Sequence, residues 1–162
     1  MGQRPMRKTT YFEPLPFDGW PDPKELEPYF LAPPDQEWSY AGRNDSWGLS
    51  AEGLYGTEGM QKLKEQVEVH LSMWGRRGLG VLLIYRKYGG GYREAFTSKG
   101  DMSRLREIVR TSHGDPMPAG LYIPFAQAWK AVKEFIEADG ELPKSIEWIA
   151  NRDLPPNTFP ER

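Results

Sequence analysis

The chain has 162 residues, a net charge of −2 and no cysteine. That length suffices for one buried core. The near-neutral charge gives no dominant pull toward nucleic acid or anionic lipid. The lack of cysteine excludes a disulfide framework, a thiolate metal ligand and a thiol nucleophile, and is compatible with a reducing cytoplasm.

Met1 to Thr10 carries Arg4, Arg7 and Lys8 with no apolar stretch behind them, so it does not read as a signal peptide. The longest apolar run, Val81 to Tyr85, is too short to span a bilayer. The first 59 residues are broken up by Pro14, Pro16, Pro21, Pro23, Pro28, Pro33 and Pro34. Only a short helix is expected there, about Asp22 to Phe30, with Pro23 in its first turn where a missing N–H is harmless. Short strands are expected at Glu37–Tyr40 and Ser46–Tyr55. Tyr11, Phe12, Phe17, Trp20, Tyr29, Phe30, Trp38, Tyr40 and Trp47 are too many aromatics for a disordered linker, so this region should pack on the rest.

Met60, Leu63, Val67, Leu71 and Trp74 recur at three- and four-residue steps, which predicts a helix from Glu58 to Trp74 capped by Thr57 and stopped by Gly75 and Gly78. Leu79 to Lys87 reads as a buried strand, Tyr88-Gly89-Gly90-Gly91 as a turn, and Tyr92 to Thr97 as its hairpin partner. A second helix is expected from Met102 to Ser112, with Asp101 as N-cap. Ala119 to Ile123 is a short strand, Pro124 opens a third helix, Gly140 ends it, and Ser145 to Ile149 is the last strand. The tail from Asn151 to Arg162 is a surface segment. These elements predict an α+β fold, a mostly antiparallel sheet with helices mainly on one side. One domain is expected over 1–162: an N-terminal region 1–59 packed on a core 60–150, and a tail 151–162.

No catalytic constellation stands out. His70 lies beside the apolar stripe and reads as a packing residue; His113, next to Asp115, reads as a turn residue. Neither has a second ligand at metal spacing, so no metal and no cofactor is expected. Gly89-Gly90-Gly91 leads into a strand and not a helix, which suits a turn rather than a phosphate cradle. The carboxylate pairs Glu65 with Glu68, Glu134 with Glu137, and Asp139 with Glu141 read as solvated helix faces or ends. Basic residues concentrate between Met60 and Arg110 (Arg76, Arg77, Arg86, Lys87 and Arg93 among them) and mix with Tyr88 and Tyr92, a composition that also suits a nucleic-acid strand. Trp, Tyr and Arg dominate binding hot spots, which singles out the segment from Trp38 to Trp47. Its plainer reading is that Trp38 and Trp47 anchor strands to the core.

The run Ile123-Pro124, Ala128, Ala131, Glu134-Phe135-Ile136, Gly140, Pro143 and Ile146-Glu147-Trp148 resembles the C-terminal signature of the first-described family of bacterial immunity proteins in polymorphic toxin systems. The hairpin from Leu79 to Tyr92 is also similar, so the resemblance covers about residues 79–150. These are packing and turn residues: Pro124 presets a helix, Gly140 permits a left-handed stop, and Trp148 is expected to pack back on Phe135. The resemblance implies a cytoplasmic, non-enzymatic protein that binds a cognate secreted toxin one-to-one, a deaminase or nuclease, and occludes its active site. Direct nucleic-acid and membrane partners are not implied. The expected contacts are Trp38, Tyr40, Arg43, Asp45, Trp47, Arg76, Arg77 and Tyr88. Two alternatives stay open: a small enzyme using His113 and Asp115, and a nucleic-acid-binding accessory domain using the basic segment.

Overall fold

A computed structural model describes residues 6–12, 15–31, 46–61, 64–76 and 78–160. The chain order is β1 (Arg7–Tyr11), α1 (Pro23–Leu31), β2 (Ser46–Leu54), β3 (Val67–Arg76), β4 (Gly80–Gly89), β5 (Tyr92–Ser98), β6 (Ile108–Arg110), β7 (Pro116–Pro118), β8 (Tyr122–Ile123), α2 (Phe125–Glu137) and β9 (Trp148–Ala150). Strands β1-β2-β3-β4-β5-β9 form one antiparallel sheet in that order, with β8 added to the end of β4. Strands β6 and β7 pair separately as a hairpin. The class is α+β, as the sequence predicts.

Alternation along the strands divides the sheet into two faces. The inner face carries Trp47, Leu49 and Ala51 of β2, Val67, Val69, Leu71 and Met73 of β3, and Val81, Leu83 and Tyr85 of β4. Both helices cover it. Helix α1 inserts Leu26 and Phe30; α2 inserts Ala128, Trp129, Ala131, Val132 and Phe135. Phe12 joins the same cluster, so the N-terminal aromatics and α2 share one core. Full burial of a side chain the size of Phe135 contributes roughly 1.5–3 kcal/mol relative to exposure.

The signature residues hold one another in place. The Gly140 amide donates to the Phe135 carbonyl at 2.9 Å, and the Gly140 carbonyl accepts from the buried Tyr85 hydroxyl at 2.9 Å. Gly140 has a φ of +93°, and a Cβ there would press on Val69 at 2.9 Å, so both backbone and space require glycine. The Glu134 carboxylate accepts from the amides of Lys144 and Ser145 at 2.7 and 3.1 Å. This carboxylate is therefore only half exposed, and it fixes the loop after α2. Trp148 Nε1 donates to the Pro143 carbonyl at 2.7 Å. The Trp148 ring lies 6.3 Å from Tyr85, which lies 6.2 Å from Phe135, so Tyr85 joins the two signature aromatics.

Two expected helices are absent. Between Glu58 and Trp74 the described residues form turns and then strand β3. Val67, Val69, Leu71 and Met73 enter the core, while Glu68, His70, Ser72 and Trp74 alternate outward; the period is two. Met60, taken as the start of a helical stripe, is 43% exposed. From Met102 only one 3-10 turn forms, Met102–Arg104, although Asp101 caps it as expected by accepting from Ser103 N at 3.0 Å. The β-branched Ile108 and Val109 then pair with Pro118 and Met117. The short helix near Pro23 and α2 form as expected; the expected turn from Tyr88 narrows to Gly90 and Gly91, because Tyr88 and Gly89 still pair with Arg93 and Tyr92. The expected strand at Glu37–Tyr40 lies outside the described residues.

A second apolar cluster of Leu82, Ile84, Met117, Leu121 and Tyr122 covers one end of the outer face. Trp74, Val109 and Leu154 pack against it. On the sheet this layer takes in Trp74, Leu82 and Ile84.

Candidate interaction surface

The strand register builds the outer face in rows. Arg7, Glu52, Glu68, Tyr88 and Arg93 stand side by side on β1 to β5. The next row is Thr9, Ser50, His70, Arg86 and Ala95, and the next begins Tyr11, Gly48, Ser72. The middle of the floor is small and polar. Tyr11 and Phe17 form an exposed edge-to-face pair at one side, ring centroids 5.4 Å apart.

His70 and Tyr88 form the centre. Their rings are parallel within 3°, and the Tyr88 hydroxyl is 2.9 Å from His70 Nε2. Burial holds the His70 imidazolium below its ordinary pKa, partly countered by Glu68 and Glu52. Burial, followed by the hydrogen bond to Glu68, pushes the Tyr88 hydroxyl up to about 12. Glu52 and Glu68 oppose each other directly, an unfavourable like-charge pair. Gln66 donates to Glu68 at 3.5 Å.

The exposed charges of the floor itself are guanidiniums, while Asp101 and Glu107 are exposed on the segment that packs over its covered end. Arg7, Arg86 and Arg93 rise from the floor; Arg76 lies past Trp74 at the far end of β3, beyond the apolar layer, where its Nη1 donates to the Arg110 carbonyl at 3.0 Å. The helix side is richer in acids. There Asp22, Glu25, Glu27, Glu137, Asp139 and Glu141 are exposed, against Lys24, Lys130, Lys133 and Lys144.

Strand alternation also splits the basic–aromatic set that the sequence groups together. Arg86, Tyr88 and Arg93 face outward, while Lys87 and Tyr92 face inward. Lys87 is buried, with Nζ 2.8 Å from Glu141 and 2.7 Å from the Tyr55 hydroxyl, and it sits over the Tyr55 and Tyr92 rings. Burial disfavours its charge, but the bonds to Glu141 and Tyr55 outweigh this and raise its pKa. It is a structural strut between β4 and the loop after α2.

Among the contacts expected from sequence, Tyr88 and Arg76 belong to the outer surface. Trp47 is 3% exposed and packs edge-on against Phe12 at 4.0 Å, which matches its reading as a core anchor and removes it from the surface. Trp38, Tyr40, Arg43, Asp45 and Arg77 lie outside the described residues. Sequence reasoning missed Arg7, Arg86, Arg93, Tyr11 and His70 as members of one surface. The signal for His70 was present in the alternation of Glu68, His70, Ser72 and Trp74. His113 and Asp115 occupy the turn of the β6–β7 hairpin, where their amides donate to Thr111 Oγ1 at 3.3 and 3.0 Å.

Among the described residues, no group of three or more His, Asp or Glu side chains could hold a metal ion. No helix is long and apolar enough to cross a membrane. The arrangement supplies binding groups: planar guanidiniums, a histidine–tyrosine pair and exposed aromatics.

Residues 42–150, about two thirds of the chain, match the family model for Immunity protein Imm1. The chain belongs to the Imm1 family of immunity proteins. The match begins well before the hairpin and helix signature and takes in β2 through β9. Strands β2 to β5 of the outer face, with His70, Arg86, Tyr88 and Arg93, thus lie within the Imm1 span, and β1 lies outside it. No curated protein and no solved structure matches the chain. Membership of an immunity family implies a toxin as partner and a non-enzymatic role.

Proposed function

We propose that this chain is the cytoplasmic immunity partner of a secreted toxin in a polymorphic toxin system, and that it binds one toxin per chain and occludes its active site. A deaminase or nuclease toxin is the class that the sequence resemblance implies. The observation carrying this reading is the Imm1 match over residues 42–150. The outer sheet face supports it, because it concentrates Arg and Tyr, the residue types from which hot spots are built. Arg76, Tyr88, Arg86 and Arg93 form the proposed contact set. Trp38, Tyr40, Arg43, Asp45 and Arg77 from the neighbouring sequence segments form a second set. Trp47 acts from beneath, by holding β2.

The experiment is co-expression with the toxin gene adjacent to this one, followed by purification and native mass spectrometry. A one-to-one complex and restored growth are expected. Persistent toxicity with no recovered complex overturns the reading. Recovery of a complex in which the toxin still turns over its substrate overturns occlusion while leaving binding intact.

A further inference from the structure

We infer that strand β6 takes an extended segment of the toxin as an added strand, with an apolar side chain of that segment in the groove beside Ile108 and a carboxylate against Arg106. This rests on the toxin-binding reading above and adds a second point of contact, at the covered end of the outer face. The backbone accounting of the β6–β7 hairpin carries it. Ala119 N donates to the Glu107 carbonyl at 2.7 Å, and Thr111 N donates to the Asp115 carbonyl at 3.0 Å. Antiparallel ladder bonds recur at every second residue, so Val109 is the residue between them that bonds to β7, through Met117. Pro116 and Pro118, on either side of Met117, have no N–H to give. Ile108 and Arg110 therefore turn their backbone groups to the other side. There Arg76 Nη1 takes up the Arg110 carbonyl. Among the described residues nothing bonds to the Ile108 N–H, the Ile108 carbonyl or the Arg110 N–H.

The same strand borders a groove of about 600 Å³. Leu105 and the exposed Ile108 line it from one segment, and Pro155, Pro156 and Pro160 line it from the tail. Arg106 is the only charged residue among the described residues that line it. The exposed acids nearest to it in sequence are engaged: Glu107 accepts from Arg104 Nε at 2.8 Å, and Asp101 accepts from Ser103 N at 3.0 Å. These features together name the occupant. Only an extended polypeptide presents backbone donors and acceptors at strand spacing; a helix has already used its own. An apolar groove with one guanidinium is not the cationic track that a nucleic-acid strand needs. Two copies of this chain pairing about Ile108 would set Arg106 against Arg110, like charge facing like. A different polypeptide, with a carboxylate near an apolar side chain, avoids that cost.

The test follows hydrogen exchange of single amides by NMR, in the free chain and in its complex with the toxin domain encoded beside this gene. Binding should slow exchange at Ile108 and Arg110 by about tenfold or more. By calorimetric titration, Arg110→Pro should bind the toxin about tenfold more weakly than Arg110→Ala, because the two differ in the outward N–H. Arg106→Glu should weaken binding by about tenfold relative to wild type, with circular dichroism confirming each fold. The exchange measurement needs no substitution, so it decides the matter even where Arg110→Pro does not fold. If the toxin binds but the two amides exchange as in the free chain, or Arg110→Pro folds and binds as well as Arg110→Ala, the added strand is overturned while toxin binding stands. If wild type forms no toxin complex, both readings fall. If the free chain already protects these amides and sediments as a dimer, a second copy holds the edge and the toxin strand is overturned.

Discussion

The two faces of one sheet differ in what holds them in place. On the inner face every second residue enters a continuous core under α1 and α2, and a change there alters stability. On the outer face the alternate residues of the same strands end in guanidiniums, hydroxyls and an imidazole, and the apolar layer covers only one end. Neighbouring positions therefore answer to different selections: Lys87 braces the fold, while Arg86 and Tyr88 on either side of it face outward. If the outer face is the contact surface proposed above, this separation lets it change without disturbing the scaffold.

Four measurements break or sharpen that division. The largest effect should come from Phe135→Ala, which empties a fully buried site against Trp20 and Tyr85; about 3–5 kcal/mol of stability should be lost on chemical denaturation. Toxin affinity of the folded protein should stay unchanged, and a large affinity loss there would show that the faces are coupled. Next, Tyr88→Ala should weaken toxin binding by about 2 kcal/mol, roughly thirtyfold in Kd. Calorimetric titration checks this, and unchanged affinity removes Tyr88 from the contact.

Third, Glu141→Gln should cost about 1–2 kcal/mol, because it deprives the buried Lys87 ammonium of its carboxylate; the figure is held down by the half-exposed position of Glu141. Burial raises the Glu141 pKa, but its bonds to Lys87 and Tyr55 outweigh this and hold it below the ordinary value. Its folded pKa is thus lower than its unfolded one, so the stabilisation is present above the ordinary glutamate pKa and lost as pH falls through the folded value. Acid denaturation of the variant should lack that part of the loss.

The smallest effect is at His70. Its folded pKa lies below the ordinary 6.5, so neutral His70 stabilises fully above that value, and the contribution disappears as pH falls through the folded pKa. Glu68, Glu52, Arg86 and Tyr88 all bear on this titration. His70→Gln should remove a decline in melting temperature between pH 7 and 5 that wild type shows. A decline of equal size in the variant assigns it elsewhere.

Helix α2 was legible because its signals are local: apolar residues at helical spacing, Pro124 at one end and Gly140 at the other. The hairpin of β4 and β5 was legible for the same reason, since three glycines separate two strand-like runs. Strand β3 was misread because Val67 and Leu71 satisfy both periods. The helical reading recruited Met60 and Trp74, and the strand reading needed Val69 and Met73. The 102–112 segment shows a true cap followed by a false continuation: Asp101 starts a turn, but Ile108 and Val109 find cross-strand partners.

Composition and spacing by themselves determined the fold class, the buried helix and its stops, and the resemblance that leads to an immunity protein. The proposed interaction surface was decided only in three dimensions. Arg7 and Arg93 are far apart in sequence, and they share a row only because four strand pairings set their registers. Backbone hydrogen bonds are indifferent to side-chain identity, so that register is fixed by which alternate residues the helices bury on the inner face. The charges opposite them are carried into one surface as a consequence.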